Sequence, residues 1–299
     1  MSVLVVGSMA LDSVETPFGK RDDILGGSAT YFSLSARFFA RVSLVAVVGQ
    51  DFPRKHIKLL ENHDINIEGL KVETGKTFRW GGKYGYDLNV ANTIYTHLNV
   101  FETFSPEIPS SYKDIKYVFL ANIDPDLQQK VLSQMRNPKL VACDTMNYWI
   151  ENKRKPLLDL IKSVDILFLN DGEARELTGE LNLLKAISWI FKRGPKMVVI
   201  KKGEHGSIFA TKDFTFCIPA FPIEDIYDPT GAGDTFAGGF LGCLNKYNKI
   251  TEGTLRKAVA YGTIMASFAV ESFGPERLLK LTNKEVESRY RDFQRLTRF

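Results

Sequence analysis

The stretch DPTGAGDTFAGG, residues 228–239, contains four glycines in twelve residues and leads into an apolar, helix-like run. Glycine inside a helix costs roughly 0.5–1 kcal/mol relative to alanine, so such a cluster indicates a need for bare backbone. Pro229 ends any preceding helix, and Gly231 and Gly233 let successive N–H groups turn toward one point. A helix beginning near Asp234 would add free N–H groups and the positive end of its dipole. The stretch therefore predicts an anion-binding nest suited to phosphate oxygens.

The composition is that of an ordinary globular chain, with 299 residues of which 44% are hydrophobic and 25% are charged. The formal net charge of +4 is small for this length and gives little reason to expect nucleic acid or an anionic membrane as a partner. The three cysteines lack metal-binding spacing, and the first residues lack the basic region of a signal peptide. No apolar run approaches the roughly 18 residues of a membrane span. We therefore expect a cytoplasmic protein with no nucleic acid and no membrane among its partners.

Short β-branched apolar runs alternate with amphipathic stretches along the first two thirds of the chain. Continuous apolar runs are typical of parallel strands that are buried on both faces. The predicted strands are residues 2–8, 42–49, 115–122, 139–144, 165–170 and 196–203. The predicted helices are residues 28–40, 52–63, 125–136, 156–163, 172–178 and 181–193. The alternation predicts an α/β fold with a doubly wound, mostly parallel sheet flanked by helices.

Two segments, residues 13–25 and 66–104, interrupt this alternation with polar, aromatic and strand-like residues that have no helical period. Long insertions of this kind are more often functional than idle. Within the second, KTFRWGGKYGY (76–86) predicts a hairpin that turns at Gly81–Gly82. We predict that the two segments form a small β lid, with a plain surface excursion as the alternative. No repeat or linker divides the chain, so we interpret residues 1–299 as one domain with this lid.

The opening stretch resembles the signature of the ribokinase-like, or PfkB, family of sugar and nucleoside kinases, in which Gly-Ala-Gly-Asp is followed by an apolar helix. The resemblance implies that Asp234 is the base that accepts the proton of the substrate hydroxyl. It also implies that the amides of Gly231, Ala232 and Gly233 form the anion hole for the transferred phosphoryl group. On the local pattern alone, Asp234 would be an ordinary N-cap. Because a helix N-terminus lowers the pKa of a carboxylate, we expect Asp234 to be a weak base that takes the proton late.

Two features near the N-terminus resemble the same family. VVGSMALD (5–12) matches the family's first strand and the aspartate after it, which implies that Asp12 accepts hydrogen bonds from substrate hydroxyls. A turn aspartate is the alternative. GGSA (26–29) matches paired glycines at the start of the second helix, which implies that Gly26 and Gly27 let the backbone approach the substrate closely. A simple tight turn would explain these glycines as well.

FLNDGEARELTG (168–179) resembles the family's Asn-x-x-Glu segment. The resemblance implies that Asn170 belongs to the cofactor-binding residues and that Glu173 holds Mg²⁺ through water, close to the phosphates of ATP. The alternative for Glu173 is that it is the capping-box partner of Asn170.

VVIKKGEHGSIF (198–209) resembles the segment that runs along the nucleotide in this family. It implies that Lys201 or Lys202 contacts phosphate and that Gly203 and Gly206 give the nucleotide room. With the preceding segments in family order, it makes ATP and Mg²⁺ the expected cofactors.

In many members of the family, the aspartate and threonine before the signature glycines, together with a loop near the C-terminus, bind a monovalent cation. Asp228 and Thr230 occupy those positions here, which implies a K⁺ site at Asp228 and places Thr230 with the cofactor-binding residues. The loop, however, reads ESFGP (271–275) in place of the usual Thr-Arg-x-Gly-Ala form. The requirement for a cation therefore stays open.

Departures from the family pattern bear on the acceptor. Ala10 and Tyr31 stand where ribokinases proper carry the asparagines that grip ribose, which argues against ribose itself. The predicted lid carries aromatic residues that would suit a nucleobase and basic residues that would suit a sugar phosphate. The family implies ATP-dependent phosphoryl transfer to an alcohol group, and we predict a small sugar or polyol as acceptor. A nucleoside kinase is the alternative, and a non-catalytic nucleotide or sugar sensor is a third interpretation. We also expect a homodimer through the lids, since oligomers often cover the open edges of a small sheet.

Overall fold

The computed structural model describes residues 2–298, and its strands and helices are numbered along the chain. The strands are β1 (Ser2–Val6), β2 (Ala10–Thr16), β3 (Gly19–Gly26), β4 (Arg41–Gly49), β5 (Ile65–Glu73), β6 (Arg79–Tyr84), β7 (Ala91–His97), β8 (Tyr117–Leu120), β9 (Leu140–Cys143), β10 (Ile166–Asn170), β11 (Met197–Lys201), β12 (Ser207–Thr211) and β13 (Thr215–Ile218). The helices are α1 (Ser28–Ala36), α2 (Arg54–Asn62), α3 (Pro125–Gln134), α4 (Asn147–Asn152), α5 (Arg154–Ile161), α6 (Asp171–Thr178), α7 (Leu183–Phe191), α8 (Ala232–Tyr247), α9 (Glu252–Ala269), α10 (Glu276–Lys280) and α11 (Asn283–Leu296).

Nine strands form the central sheet in the order β13-β12-β11-β10-β9-β8-β1-β4-β5. Along this order, every pair between β11 and β5 is parallel, and the pairs β11–β12 and β12–β13 at the other edge are antiparallel. Successive residues of β1 enter two separate cores, with Val3 and Val5 on one face and Leu4 and Val6 on the other. Burial on both faces is why these strands have continuous apolar sequences. The prediction of a doubly wound, mostly parallel sheet is confirmed.

Helices cover both faces of the central sheet. Side chains of α1, α2, α8, α9 and α11 belong to the core that contains Val3, and side chains of α3 to α7 belong to the core that contains Leu4. Within residues 2–298, none of the helices combines the length and the apolar character needed to cross a bilayer. Because parallel strands end at the same edge, the loops after β1, β8, β9, β10 and β11 converge there, and this edge carries the candidate site.

A second, four-stranded sheet has the order β3-β2-β6-β7. Its position is consistent with a lid, but the predicted range of 66–104 is wrong at its start. β5 (Ile65–Glu73) pairs in parallel with β4 and is the edge strand of the central sheet. The sequence indicated strand-like residues here but assigned them to the lid, because an edge strand is only partly buried and lacks the continuous apolar run of the other central strands. The small sheet itself is built from residues 10–26 and 79–97.

The predicted turn at Gly81–Gly82 is also wrong. Both glycines lie inside β6, next to a bulge in its pairing with β7, and the chain reverses at residues 85–90. Neighbouring rings explain the glycines, since a Cβ on Gly81 would lie 2.3 Å from the ring of Tyr95 and a Cβ on Gly82 would lie 2.0 Å from the ring of Trp80. These glycines make room for aromatic side chains on the two faces of a strand.

Candidate active site

The signature turn sets the start of α8 and places Asp234 three residues into the helix. Gly231 is the N-cap, with a φ of 75°, and the helix begins at Ala232. The prediction that Asp234 is the N-cap is therefore wrong. Glycine is required at 231 for two reasons, because its φ lies in the left-handed region and because a Cβ there would lie 2.3 Å from the ring of Tyr31.

Three amide groups at this turn are free to bind an anion. The amides of Gly231, Gly233 and Asp234 donate to no other residue within residues 2–298, although that of Asp234 interacts with its own carboxylate. The amide of Ala232 instead donates to the carbonyl of Pro229 at 3.2 Å, so its predicted place in the anion hole is not supported. The first N–H groups of a helix lack intrahelical partners, and here they are combined with the positive end of the helix dipole. These amides lie where the sequence predicts an anion-binding nest, with the amide of Asp234 in place of that of Ala232, and anion binding there stays a prediction.

Lys201, at the end of β11, brings a positive charge to this nest. A Cβ on Gly233 would lie 3.0 Å from the Lys201 Nζ, so the ammonium group lies against the first turn of α8. The same nitrogen donates to Asp144 Oδ2 at 2.7 Å. Burial lowers the pKa of Lys201, but the carboxylates of Asp144 and Glu173 raise it, and the net pKa lies above its usual value. Lys201 is therefore charged, as a phosphate contact requires.

Asp144 was missed by the sequence analysis. It directly follows β9, and its side chain is only 5% exposed. Its peptide carbonyl accepts a hydrogen bond from Gln128 at 3.1 Å, which helps to hold the loop. The sequence feature that could have identified Asp144 is its position directly after a buried apolar strand, at the edge where the other parallel strands end.

The electrostatics around Asp234 reverse the expected direction of its pKa. Burial, followed by the nearby carboxylate of Asp144, raises the pKa of Asp234 to about 7, although Lys201 lowers it. The helix dipole was expected to lower this pKa, but desolvation is the larger effect because the carboxylate is enclosed by protein. A carboxylate with this pKa is better suited to accept a proton near neutral pH than an ordinary aspartate.

Glu173 and Asn170 form a capping box at the start of α6. Asn170 Oδ1 accepts the amide of Glu173 at 2.7 Å, and Glu173 Oε2 accepts the amide of Asn170 at 2.7 Å. The capping alternative is thus present in the structure. Burial, with the carboxylate of Asp144, nevertheless raises the pKa of Glu173 to about 7 despite the opposing effect of Lys201.

The carboxylates of this site could hold Mg²⁺ together with waters and substrate phosphates. The carboxylate of Asp144 raises the pKa of both Glu173 and Asp234, so a divalent cation would relieve this repulsion. Within the part of the chain that the structure describes, no three His, Cys, Asp or Glu side chains converge to enclose a metal ion. Mg²⁺ typically keeps several waters and binds one or two carboxylates together with substrate phosphates. The donor set is compatible with that mode of binding.

Asp12 lies in β2 directly beside the paired glycines. A Cβ on Gly26 would lie 1.8 Å from Asp12 Oδ2, and Gly27 has a φ of 95° with its Cβ position 2.5 Å from the carbonyl of Ser8. Neither position accepts a side chain, because one is filled by the carboxylate and the other by backbone. Burial raises the pKa of Asp12 to about 7, the amide of Gly27 opposes this, and the carboxylates of Asp228 and Asp234 raise it further. Asp12 and Asp234 therefore belong to the same electrostatic cluster.

The small sheet contacts the signature turn through Tyr84 in β6. The hydroxyl groups of Tyr84 and Thr230 are 3.1 Å apart, and the amide of Thr230 donates to Asp228 Oδ1 at 2.8 Å. In this structure, Thr230 therefore connects the signature turn to the small sheet through its hydroxyl group and to Asp228 through its amide.

The inner face of the small sheet is aromatic and apolar. Asp12 is paired with Trp80 across β2 and β6 and with Ile24 across β2 and β3, so these three side chains share one face. The apolar cluster on that face contains Val14, Tyr84, Phe273, Ile24, Trp80 and Leu88.

The two basic residues of β6 are occupied in ion pairs, while Arg21 of β3 lies over the ring of Phe273. Arg79 contacts Asp23 at 2.9 Å and Asp51 at 2.8 Å, and Lys83 pairs with Glu15. The sequence alone does not show which face of the small sheet the aromatic and basic residues occupy. The strand register places Trp80 and Tyr84 on the face of Asp12.

The two glycines after β11 have different surroundings. Gly206 is buried, with a φ of 79°, and its Cβ position lies 2.0 Å from the carbonyl of Ile218, so it makes room for the returning strand β13. The Cβ position of Gly203 lies 1.6 Å from the side-chain oxygen of Asn89, in the turn between β6 and β7. Gly206 thus has a packing reason of its own, while Gly203 lies where the small sheet meets the predicted nucleotide segment.

Comparison with known proteins agrees with this geometry. The profile of the pfkB family carbohydrate kinases matches residues 22–280. The cytidine kinase of Thermococcus kodakarensis is 32% identical over 258 residues, which are 84% of this chain and 91% of that protein. The nucleoside kinase of Methanocaldococcus jannaschii is 29% identical over 286 residues, which are 92% of this chain and 88% of that protein. The crystal structure of the Methanocaldococcus jannaschii nucleoside kinase, described as an archaeal member of the ribokinase family, superposes with a TM-score of 0.79 at 25% identity and covers 97% of this chain and 98% of that chain. The chain therefore belongs to the pfkB family of carbohydrate kinases, and it is a phosphotransferase that uses ATP and has an alcohol group as acceptor.

Proposed function

We propose that this protein transfers the γ-phosphoryl group of ATP to a hydroxyl group of a nucleoside. The observation that carries the proposal is the strand register, which places the ring of Trp80 on the same face as the Asp12 carboxylate. A nucleoside presents both chemistries, since its ribose has vicinal hydroxyls and its base has a flat face that stacks on aromatic rings. The similarity to a cytidine kinase and a nucleoside kinase supports the same acceptor class. A free sugar or polyol is the alternative, because Asp12 would accept hydrogen bonds from hydroxyls of either class.

The proposed roles follow from position. Asp12 accepts hydrogen bonds from acceptor hydroxyls, with Gly26 leaving room for its carboxylate and Gly27 for the backbone of Ser8. Asp234 orients the reacting hydroxyl and accepts its proton late, as the loose transition state of phosphoryl transfer allows. The amides of Gly231, Gly233 and Asp234, with Lys201, stabilise the charge on the transferred group.

The residues proposed to bind the cofactors lie near the same edge of the central sheet. Asn170, Gly203 and Thr230 border the proposed ATP site, and Glu173, with Asp144, would bind Mg²⁺ directly or through water. When bound, Mg²⁺ would offset the negative charge of the phosphates and carboxylates. The chain's own contribution is to hold these groups in place and to exclude water beneath the small sheet.

The test is an acceptor screen with the purified full-length chain that measures acceptor-dependent ADP release. Pyrimidine and purine nucleosides would be compared with free ribose, fructose and cyclitols, with Asp234→Asn as the control for contaminating activity. We expect kcat/KM for the best nucleoside to exceed that for any free sugar by about a hundredfold, because a site that stacks a base leaves contacts unmade with a smaller acceptor. A sugar as best acceptor would replace the proposal by its alternative. If the protein binds ATP but releases no ADP with any of the acceptors, the non-catalytic sensor would be favoured.

A further inference from the structure

The loop between α9 and α10, residues 270–275, contacts the signature turn directly. Asp228 is 1% exposed, and both of its carboxylate oxygens accept backbone amides. Oδ1 accepts Thr230 at 2.8 Å, and Oδ2 accepts Gly274, in this loop, at 2.9 Å. Burial raises the pKa of Asp228, and the hydrogen bonds from Gly274 and Thr230 oppose this by stabilising its charge from both sides.

The backbone carbonyls beside Asp228 are occupied as well. The carbonyl of Val270 accepts the amides of Tyr227 at 2.8 Å and Asp228 at 3.4 Å. The carbonyl of Tyr227 accepts the hydroxyl of Thr16 at 2.9 Å. A K⁺ ion needs several oxygen ligands that replace its hydration shell, and each hydrogen bond that these oxygens accept takes up one of their lone pairs. The protein's own amides and hydroxyl group therefore compete with a K⁺ ion at the site that the family resemblance implied at Asp228.

A cluster of charged side chains holds the loop from its other side. Glu271 accepts hydrogen bonds from Arg277 Nε at 3.0 Å and from Arg289 of α11, and Arg277 also contacts Glu285 at 2.8 Å. Glu271 and Arg289 are only 21% and 16% exposed. The Arg289 guanidinium lies 3.5 Å from the ring centroid of Phe268, at the end of α9. Partial burial strengthens these ion pairs relative to surface pairs.

We propose that the cluster of Glu271, Arg277 and Arg289 replaces a monovalent cation in this protein. The two arginines fix the loop through Glu271, and the loop then presents the amide of Gly274 to Asp228 and so positions the signature turn. Phe273 of the same loop packs with Val14 and Tyr84 of the small sheet, so the loop also connects the signature to that sheet. It follows that phosphoryl transfer does not require K⁺ and that Arg289 is a positioning residue. The inference holds for any acceptor the enzyme uses.

The first test compares initial rates in KCl, NaCl and tetramethylammonium chloride at equal ionic strength, with Mg²⁺ and the best acceptor from the screen. We expect the three rates to agree within about twofold, since no site for the cation contributes. Activation by K⁺ of about tenfold or more would overturn the inference. The acceptor screen is run in each salt, so that a K⁺ requirement is not mistaken for absence of activity.

The second test is Arg289→Met, which keeps an apolar side chain against Phe268 and removes the charge. Arg295→Met on the same helix is the matched control, because Arg295 is 81% exposed. We expect Arg289→Met to lower kcat by about tenfold, as small displacements of catalytic groups do, with KM for ATP unchanged and the circular dichroism spectrum retained. Unchanged kcat in the folded variant would contradict the inference, as would an equal effect of Arg295→Met. If Arg289→Met does not fold, Glu271→Gln serves with the same two readouts.

Discussion

Lys201 Nζ lies 2.7 Å from Asp144 Oδ2 and rests against Gly233 in the first turn of α8. This ion pair joins the carboxyl ends of β9 and β11, which flank β10 in the central sheet, to the helix that carries the proposed base. It provides the charge offered to a phosphoryl group and adjusts the pKa of Asp234, which burial raises first, because Asp144 raises that pKa further while Lys201 lowers it.

The first prediction is that Lys201→Met weakens ATP binding and slows turnover. Loss of the ammonium removes the charge next to the free amides and leaves Asp144 unpaired and buried, which is costly. We expect kcat/KM for ATP to fall by about a hundredfold, comparable to the loss of one oxyanion-hole donor. Lys202→Met is the matched control and tests the alternative that the sequence left open. An equal or larger effect at Lys202 would transfer the phosphate contact to that residue.

The second prediction is that Asp234→Asn loses most of its turnover and keeps its fold and ATP affinity. Removing a positioned acid or base costs about 10²–10⁴-fold in rate. The measurement is single-turnover phosphoryl transfer together with calorimetric ATP binding. If the variant retains near-native turnover, Asp234 is not the base and has only a structural role in the first turn of α8.

The third prediction concerns pH. With a pKa of about 7, Asp234 is partly protonated at neutral pH in the free enzyme. We therefore expect kcat/KM for the acceptor to rise with pH through about 7 and to level off above it. Since the Asp144 carboxylate raises this pKa, Asp144→Asn should move the midpoint to lower pH. Asp12 and Glu173 are also raised to about 7, so the midpoint belongs to a coupled set, and a profile without any inflection between pH 5 and 9 would argue against the proposed base.

The fourth prediction separates binding from stability at Asp12. We expect Asp12→Asn to weaken acceptor binding and to leave ATP affinity unchanged, which calorimetry with each ligand measures. Equal loss of both affinities would make Asp12 a structural residue.

The same substitution should stabilise the free protein at high pH. The pKa of Asp12 is near 3.8 when unfolded and about 7 when folded, so the native state holds the proton more tightly. Stability from this group is complete below about pH 4 and is lost as pH rises through 7. Asp12→Asn should therefore have the higher Tm above pH 7, with the difference vanishing toward pH 4. A constant difference in Tm across this range would contradict the raised pKa.

The fifth prediction is that the small sheet closes over the acceptor. Tyr84 and Asn89 already contact the signature and the Gly203 turn, and a closed sheet excludes water that would compete for the phosphoryl group. Hydrogen exchange should show added protection of amides in residues 76–104 when acceptor and an ATP analogue are bound. Absence of added protection would contradict the lid interpretation.

A homodimer through the small sheets also stays a prediction. Val90 and Ile94 in and beside β7 are 54% and 61% exposed, and such residues are often covered in oligomers. Sedimentation measures whether the native chain is a dimer and whether the charge introduced by Ile94→Lys disrupts that dimer.

The sequence by itself determined the central sheet, because strands buried on both faces must be continuously apolar and parallel strands must be separated by helices. It also predicted free amides in front of α8, because glycines at 231 and 233 precede an apolar helix-like run. Short-range rules account for both results, and each can be read from neighbours along the chain.

Only the tertiary structure decided the rest. Asp144 and Lys201 are 57 residues apart in the chain, and no local pattern predicts their pairing. The direction of the Asp234 pKa depended on how deeply its surroundings enclose it, which outweighed the helix dipole. β5 joined the central sheet although its apolar spacing is irregular, since an edge strand needs one neighbour and not two buried faces. The Gly81–Gly82 pair became the middle of a strand because the rings of Tyr95 and Trp80 fill the space beside it. Pairing, burial and packing depend on residues distant in sequence, and the fold alone brings them together.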